Sequence, residues 1–529
     1  MTSAMSDHIM TRGDEPADVM TQELCTTSAD DRGKSEQKAK KRKKQPPLAL
    51  TPPRSSRATD AMMSTPDERA LMGMLPYTAL TVVVTLIAVG KNVTLRLLGS
   101  LTYYLIPETP QEQAKARLAR VTAGKSPSEV RRRAARIKAN ISEDAEGTES
   151  IAAVKFGKAL VLAPYFREFD YALLFAILVV ANFAAAELAP FALNLPEHEN
   201  ILVPMLALVA VFSSTRSLVK LLFDRLTPKI ERQAAVAVGV VGFVLALFFL
   251  LLVPTSALDF EVAGTSKELA PAMAKKIRSR VVGRKAAERV ADVAGGMVVP
   301  ELQIFIGLAL FAGIITGALL GPAVRIVRSY NMCVRPPSWG GDFVGVSKAM
   351  VPLLHASFAL PVVTVFVWLA PLSRAPFGLT DERYDLVRVC SLMVTGVAQV
   401  VVVPALVQAY LDGGLVAWYE VKHGERGVQA MAALRGVVRQ KLEVTKHLAC
   451  KVAVQAVGPA TLMIACACLL GSKRRDDSEG ATENITSLVP AVCWRTVASF
   501  LGWWTCAAWA TLISAGVAAA KAGVETFTR

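Results

Sequence analysis

The amino-acid sequence predicts an all-α protein, a polytopic transmembrane helix bundle of eight to nine spans that follows a disordered, basic N-terminal tail. Two observations support this fold class. The chain has nine apolar blocks of about 20 residues, the length that crosses a hydrocarbon core of about 30 Å as a helix. Its 529 residues are 53% hydrophobic and 19% charged, with a mean hydropathy of +0.39. We therefore expect lipid to surround most of the chain.

Charged loops separate the blocks, and none of them has the length and composition of a separate soluble domain. The domain prediction is a tail over residues 1–66 and one helical membrane domain over residues 67–529. In chain order, the blocks are Leu71–Gly90, Tyr171–Leu193, Ile201–Leu222, Ala234–Val253, Ile304–Val324, Val351–Ala370, Val387–Tyr410, Val452–Leu470 and Val497–Ala520.

The tail is rich in Ser, Thr, Asp, Lys and Pro and has no apolar periodicity, which is typical of disorder. Its basic run Lys38–Lys44 is compatible with a nuclear-import-like signal or with a patch that binds anionic lipid headgroups. In a chain with many spans, the lipid interpretation is favoured. We therefore expect the net charge of +15 to serve topology and the lipid bilayer, not nucleic acid.

The distribution of Lys and Arg predicts the topology. Alternate loops after the first, third, fifth and seventh blocks hold about thirty of these cations, and the other set holds about fifteen, which places the first set in the cytoplasm. Nine crossings would put the basic tail outside. The preferred interpretation is therefore eight crossings with both chain ends inside, the first block being peripheral or re-entrant.

Three segments between blocks have specific predictions. The basic loop at about 91–170 is predicted to be cytoplasmic. The amphipathic pattern at about 267–293 predicts an interfacial helix with its cations toward phosphate. The stripe within about 415–451 predicts a cytoplasmic helix, for which a calmodulin-type target is a second interpretation. Of the glycosylation sequons at Asn92, Asn140 and Asn484, only Asn484 is predicted to lie outside.

Ionisable residues inside apolar blocks are costly, so they are candidates for an intramembrane polar site. Glu187 lies late in the second block and Arg216 late in the third, at opposite ends of a predicted hairpin. For Glu187, an interfacial carboxylate and a proton or cation site both remain open. His355, one turn into the sixth block, is either a hydrogen-bond partner between helices or a titrating group.

Glycine spacing predicts close helix packing in the fifth block. Gly313, Gly317 and Gly321 recur every four residues, after Gly307, and small residues on one stripe let helix backbones approach each other. A hinge for gating is the alternative.

Sequence motifs for catalysis, cofactors and metals are not found. The chain has no Walker A loop, no GxSxG and no HExxH, and its eight cysteines form no CxxC pair. We therefore expect no enzyme activity, no catalytic residues, no cofactor and no metal.

Several motifs in consistent order resemble the transmembrane protein 161 family over roughly residues 71–520. The main ones are Leu353–Phe358 followed by Pro361 and Trp368, Gln408–Leu411, and Trp503–Thr505. The chain departs from the family pattern in its long basic tail and at Gln399, where a basic residue is expected. Gln399 therefore joins Glu187, Arg216 and His355 as a candidate polar-site residue.

The resemblance implies a multi-pass protein without a known catalytic motif that influences cation conductance and membrane excitability. A ciliary, endomembrane or plasma-membrane location is compatible with it. The leading hypothesis is that the protein modulates an ion channel or transporter partner by binding. The alternative is that the bundle itself moves an ion or small solute past Glu187 and His355. A third is scaffolding at the membrane surface through the tail and the basic loop.

Overall fold

The computed structural model describes residues 66–106, 151–193, 202–267, 269, 301–340, 344–423, 427–472 and 491–523. Over these residues the all-α bundle is confirmed. The tail, most of the basic loop, the predicted interfacial helix at 267–293 and the sequons at Asn140 and Asn484 lie outside the described residues.

Helices form nearly all of the described structure, together with a two-stranded antiparallel sheet. The helices are α1 (Pro66–Gly90), α2 (Val93–Leu98), α3 (Phe166–Leu193), α4 (Leu202–Leu222), α5 (Lys229–Leu252), α6 (Glu301–Val334), α7 (Met350–Val367), α8 (Ala370–Phe377), α9 (Asp381–His423), α10 (Gly427–Gly471) and α11 (Ala491–Lys521). The strands are β1 (Thr102–Leu105) and β2 (Ala152–Lys155), and Thr102 pairs with Lys155.

Eight helices of the described chain are long and apolar enough to cross a membrane, which matches the lower predicted number of spans. They are α3 to α7 and α9 to α11. The apolar part of α1, Leu75–Gly90, falls short of this length. We call the end of the bundle that contains the first turn of α3 the inner end, because the more basic loops lie there, and the opposite end the outer end.

Although the apolar part of α1 is short, the helix packs along α3 and does not lie across the end of the bundle. Thr94, just after α1, donates a hydrogen bond to Asp170, and Thr81 hydrogen-bonds Asn182 at 3.0 Å. Residue numbers rise in α3 as they fall in α1, so the two helices are antiparallel over about 18 Å of helix length. This packing is compatible with a first block that enters the bundle without crossing and with a ninth crossing, and the short apolar part of α1 leaves eight candidate spans among the described helices.

Helix α10 is the centre of the bundle. Its apolar segment within Gly436–Gly471 is completely buried, whereas the corresponding segment of α5 is mostly exposed. Small side chains make this position available: Leu218 of α4 packs where a side chain on Gly458 would otherwise lie. The main neighbours of α10 are α3, α4, α9 and α11, and α6 and β1 also contact it.

The glycine stripe of α6 packs against α5, which confirms the predicted close approach. A Cβ on Gly317 would lie 2.6 Å from the carbonyl oxygen of Ala235, and one on Gly313 would lie 2.8 Å from that of Gly239. Gly307 has open space around it, so it is not part of this contact. Gly321 has another role, described below.

The predicted cytoplasmic helix at 415–451 is divided differently in the structure. Residues 415–423 continue α9, and residues 427–451 are the first part of α10, since no proline interrupts the helix there. Part of the predicted apolar stripe is buried inside the protein: Val438 and Leu442 pack against Leu415 and Trp418. The end of α9 and the first part of α10 therefore pack on each other beyond the inner end of the bundle.

We predict that Gly317→Ala destabilises the protein, because the added methyl group must push the α5 backbone away. Overpacking of this kind costs about 1–3 kcal/mol. Thermal unfolding of the purified protein in detergent measures the effect as a lower Tm. Gly307→Ala is the matched control and should leave Tm unchanged or slightly raised. Equal effects of the two substitutions would contradict the close contact.

A ninth crossing by α1 predicts that the tail lies on the outer side. Thr26→Asn creates a glycosylation sequon in the tail, and we expect it to be modified in eukaryotic cells. A gel-mobility shift reversed by glycosidase measures this. Asn484→Gln identifies the contribution of the native sequon predicted to lie outside. A tail that stays unmodified while Asn484 is modified would restore the eight-span topology.

Candidate functional site

The structure does not bring the four predicted polar-site residues together. The ion pair between Glu168 and Lys220 places the first turn of α3 beside the last turn of α4. Glu187 therefore lies about 20 Å along the bundle axis from Arg216, by helical rise. Glu187 is half-buried near the outer end of α3, and Arg216 is exposed.

His355 lies on the outside of the bundle, near its inner end. Its side chain is exposed, and its Nδ1 is 2.7 Å from the hydroxyl of Tyr330 on α6. The ring of Tyr330 is stacked on Phe358, with ring centroids 4.0 Å apart. This contact joins α6 to α7 through His355.

Gln399 lies on α9 and is buried in the bundle, with 6% of its surface exposed. Neither its amide nitrogen nor its amide oxygen has a hydrogen-bond partner in the described structure. One turn earlier, the hydroxyl of Thr395 is 2.7 Å from that of Thr364 on α7. An unpaired buried amide costs free energy, so Gln399 is the least satisfied of the four candidates.

The polar groups that do converge are ion pairs that the sequence patterns did not reveal. At the inner end, the ammonium of Lys451 on α10 donates to Asp224 at 3.0 Å and to Thr227 at 2.9 Å. The hydroxyl of Tyr165 donates to the same carboxylate oxygen of Asp224 at 2.5 Å. Lys451 is 3% exposed, so this ion pair is shielded from solvent.

A second ion pair continues from the first. Arg325 of α6 donates to Glu231 of α5 at 2.8 Å and to Gln455 of α10 at 3.2 Å. Because Gln455 follows Lys451 by one helical turn, both side chains leave the same face of α10. Gly321 makes space for this pair: a Cβ there would lie 2.5 Å from a carboxylate oxygen of Glu231.

We call these seven residues the inner ionic cluster: Tyr165, Asp224, Thr227, Glu231, Arg325, Lys451 and Gln455. Burial opposes ionisation of Asp224, but the hydrogen bonds from Tyr165 and Lys451 outweigh it and lower the pKa of that carboxyl. Burial, then the bond to Asp224, raises the pKa of the Tyr165 hydroxyl, which therefore stays protonated as a donor. The cluster joins α4, α5, α6 and α10 through fixed charges.

A second set of ion pairs joins helices at the outer end of the bundle. Arg495 at the start of α11 pairs with Asp385 at 2.7 Å and with Glu261 at 3.4 Å. Arg388 pairs with Asp385 at 3.2 Å and lies over the ring of Trp368, 4.1 Å from its centroid. These contacts hold α7, α9 and α11 to the segment after α5.

The Gln408–Leu411 motif anchors the small sheet. The side-chain amide of Gln408 accepts from the backbone nitrogen of Thr102 at 2.9 Å and donates to the carbonyl of the same residue at 3.2 Å. It also donates at 2.7 Å to buried Asp412, and Asp412 accepts a second hydrogen bond from the hydroxyl of Tyr104. Burial, then the charge of Asp412, raises the pKa of Tyr104 to about 12.

Metal-binding geometry is not found within the described residues, since no three His, Cys, Asp or Glu side chains come together. The seven described cysteines form no disulfide with one another, and only Cys390 among them is exposed.

The apolar spans, the buried central helix and the ion pairs at both ends define an integral, multi-pass α-helical membrane protein. The sequence matches the family model described as predicted transmembrane protein 161AB over residues 78–475. The chain belongs to this family, which confirms the resemblance found in its motifs. No solved structure matches the chain.

We predict that removing one partner of the Asp224–Lys451 pair is strongly destabilising. Lys451→Met leaves a half-buried carboxylate without its cation, and such a change costs about 3–5 kcal/mol. The double variant Asp224→Asn, Lys451→Met should lose less than the sum of the single losses, measured by unfolding in detergent. Lys441→Met, an exposed cation on the same helix, should have little effect. If the loss of stability in the double variant equals the sum of the two single losses, the side chains of Asp224 and Lys451 are not coupled.

Proposed function

We propose that this protein is a non-enzymatic modulator of cation conductance that acts by binding a membrane partner, an ion channel or transporter. The observation that carries this proposal is the outward position of His355. A residue on a conduction path would face the interior, whereas His355 is on the surface of α7.

The surface around His355 has the properties of a helix-docking face. Pro352, His355, Ala359, Val363 and Phe366 follow the spacing of one face of α7, and all five are exposed. A polar side chain within such a face is costly against lipid tails but favourable against a helix that offers a hydrogen bond. Tyr330 engages Nδ1, which leaves Nε2 on the far side of the ring for the partner.

The described interior supports the same proposal. The buried charges of Lys451 and Arg325 are held by fixed carboxylates, an arrangement suited to joining helices. The transporter alternative has one observation in its favour, the unpaired amide of Gln399 beside the Thr364–Thr395 pair. Such a group could contact a permeant solute during a conformational change.

The bilayer is the second partner that we propose. The loops assigned to the inner side are basic, so contact with anionic headgroups of the inner leaflet accompanies the binding role. Residence in the plasma membrane or an endomembrane fits this proposal equally well.

Flux and current measurements separate the modulator from the transporter. The purified full-length protein in liposomes should give no H⁺, Na⁺, K⁺ or Ca²⁺ flux above that of protein-free vesicles. Expression in cells should change the whole-cell cation current. His355→Leu should weaken that effect, since one interhelical hydrogen bond is worth about 1–2 kcal/mol, roughly tenfold in association.

Val394→Ala is the matched control, because Val394 is an exposed side chain on α9, away from the α7 face. It should leave the current change intact at equal surface expression. Flux from the purified protein that Gln399→Leu abolishes would overturn the modulator proposal and favour transport.

A further inference from the structure

An open groove of about 610 Å³ lies at the inner end of α4 and α5. Its lining residues are Phe223, Lys229, Arg232, Gln233, Val236 and Ala237. Two of them are cations and three are apolar, and the groove belongs to neither the α7 face nor the inner ionic cluster.

Positive charge predominates in the groove. From α4 to α5, the described acidic side chains are Asp224 and Glu231, and they pair on the inward side with Lys451 and Arg325. These two carboxylates are therefore already engaged by cations other than Lys229 and Arg232 of the groove. Arg232 is half-buried, and its Nε has no hydrogen-bond partner among the described residues.

An apolar track continues from the groove along α5. Val236, Val240, Val244 and Phe248 recur every four residues on one face, and each is at least half exposed. From Val236 to Phe248 the track rises about 18 Å, roughly the length of an extended acyl chain within one leaflet.

We propose that this groove binds one anionic glycerophospholipid. Its phosphate lies between Lys229 and Arg232 and pairs with both positive charges, and one acyl chain follows the track on α5. Basic pockets between transmembrane helices at the cytoplasmic side recognise such headgroups. The apolar track is what distinguishes a lipid from a free phosphate. This site is independent of the binding role proposed for His355.

Thermal unfolding and native mass spectrometry of the full-length protein in detergent test the site. Added dioleoyl phosphatidylserine should raise Tm, whereas dioleoyl phosphatidylcholine and inorganic phosphate should not. One phosphatidylserine should remain bound per chain in the mass spectrum. The double variant Lys229→Gln, Arg232→Gln should lose the Tm shift and bind about tenfold less lipid, since each cation near the headgroup contributes several-fold.

The double variant Arg335→Gln, Lys348→Gln removes two exposed cations near the same end and should keep both responses. Val236→Trp fills the groove without changing charge, and it should also weaken lipid binding, which provides a second test if the charge variant folds poorly. Equal shifts with the two lipids, an equal shift with inorganic phosphate, or unchanged binding in both groove variants would overturn the proposal.

Discussion

The buried ammonium of Lys451 sets the constraint on which the rest of the bundle depends. The apolar segment of α10 is completely buried, so a charge at the start of that segment must find its counter-ion inside the protein. Asp224 supplies it from the turn between α4 and α5. The position of that turn then fixes α5, whose glycine contacts fix α6, and α6 returns Arg325 to Gln455 on α10. These contacts connect α10, α4, α5 and α6 in a closed ring.

Much of the fold could be predicted from the sequence, because hydropathy and small-residue spacing are local properties. The apolar blocks became helices, and Gly313 and Gly317 lie where two backbones meet. The ion pairs could not be predicted in this way. Arg325 and Lys451 each lie one residue outside an apolar block, so the pattern assigns Arg325 to a loop and Lys451 to the end of a cytoplasmic helix. Only the packing of distant helices reveals their partners.

The candidate site was harder to predict for a related reason. A sequence gives the depth of Glu187 or His355 along a helix, but not the rotation of that helix toward core or lipid. His355 has an outward position that only the packing of α7 determines. Gln399 faces inward without a partner, and the signal that marked it was a departure from a family pattern, not its chemistry.

The attachment of the small sheet has a consequence for the segment between its strands. Leu105 and Ala152 are paired, and Gln408 holds β1 to α9, so the chain leaves and re-enters the bundle at a single point. The pairing of the strands fixes where the chain leaves and re-enters the bundle, so a change in the number of residues between β1 and β2 need not move the helices.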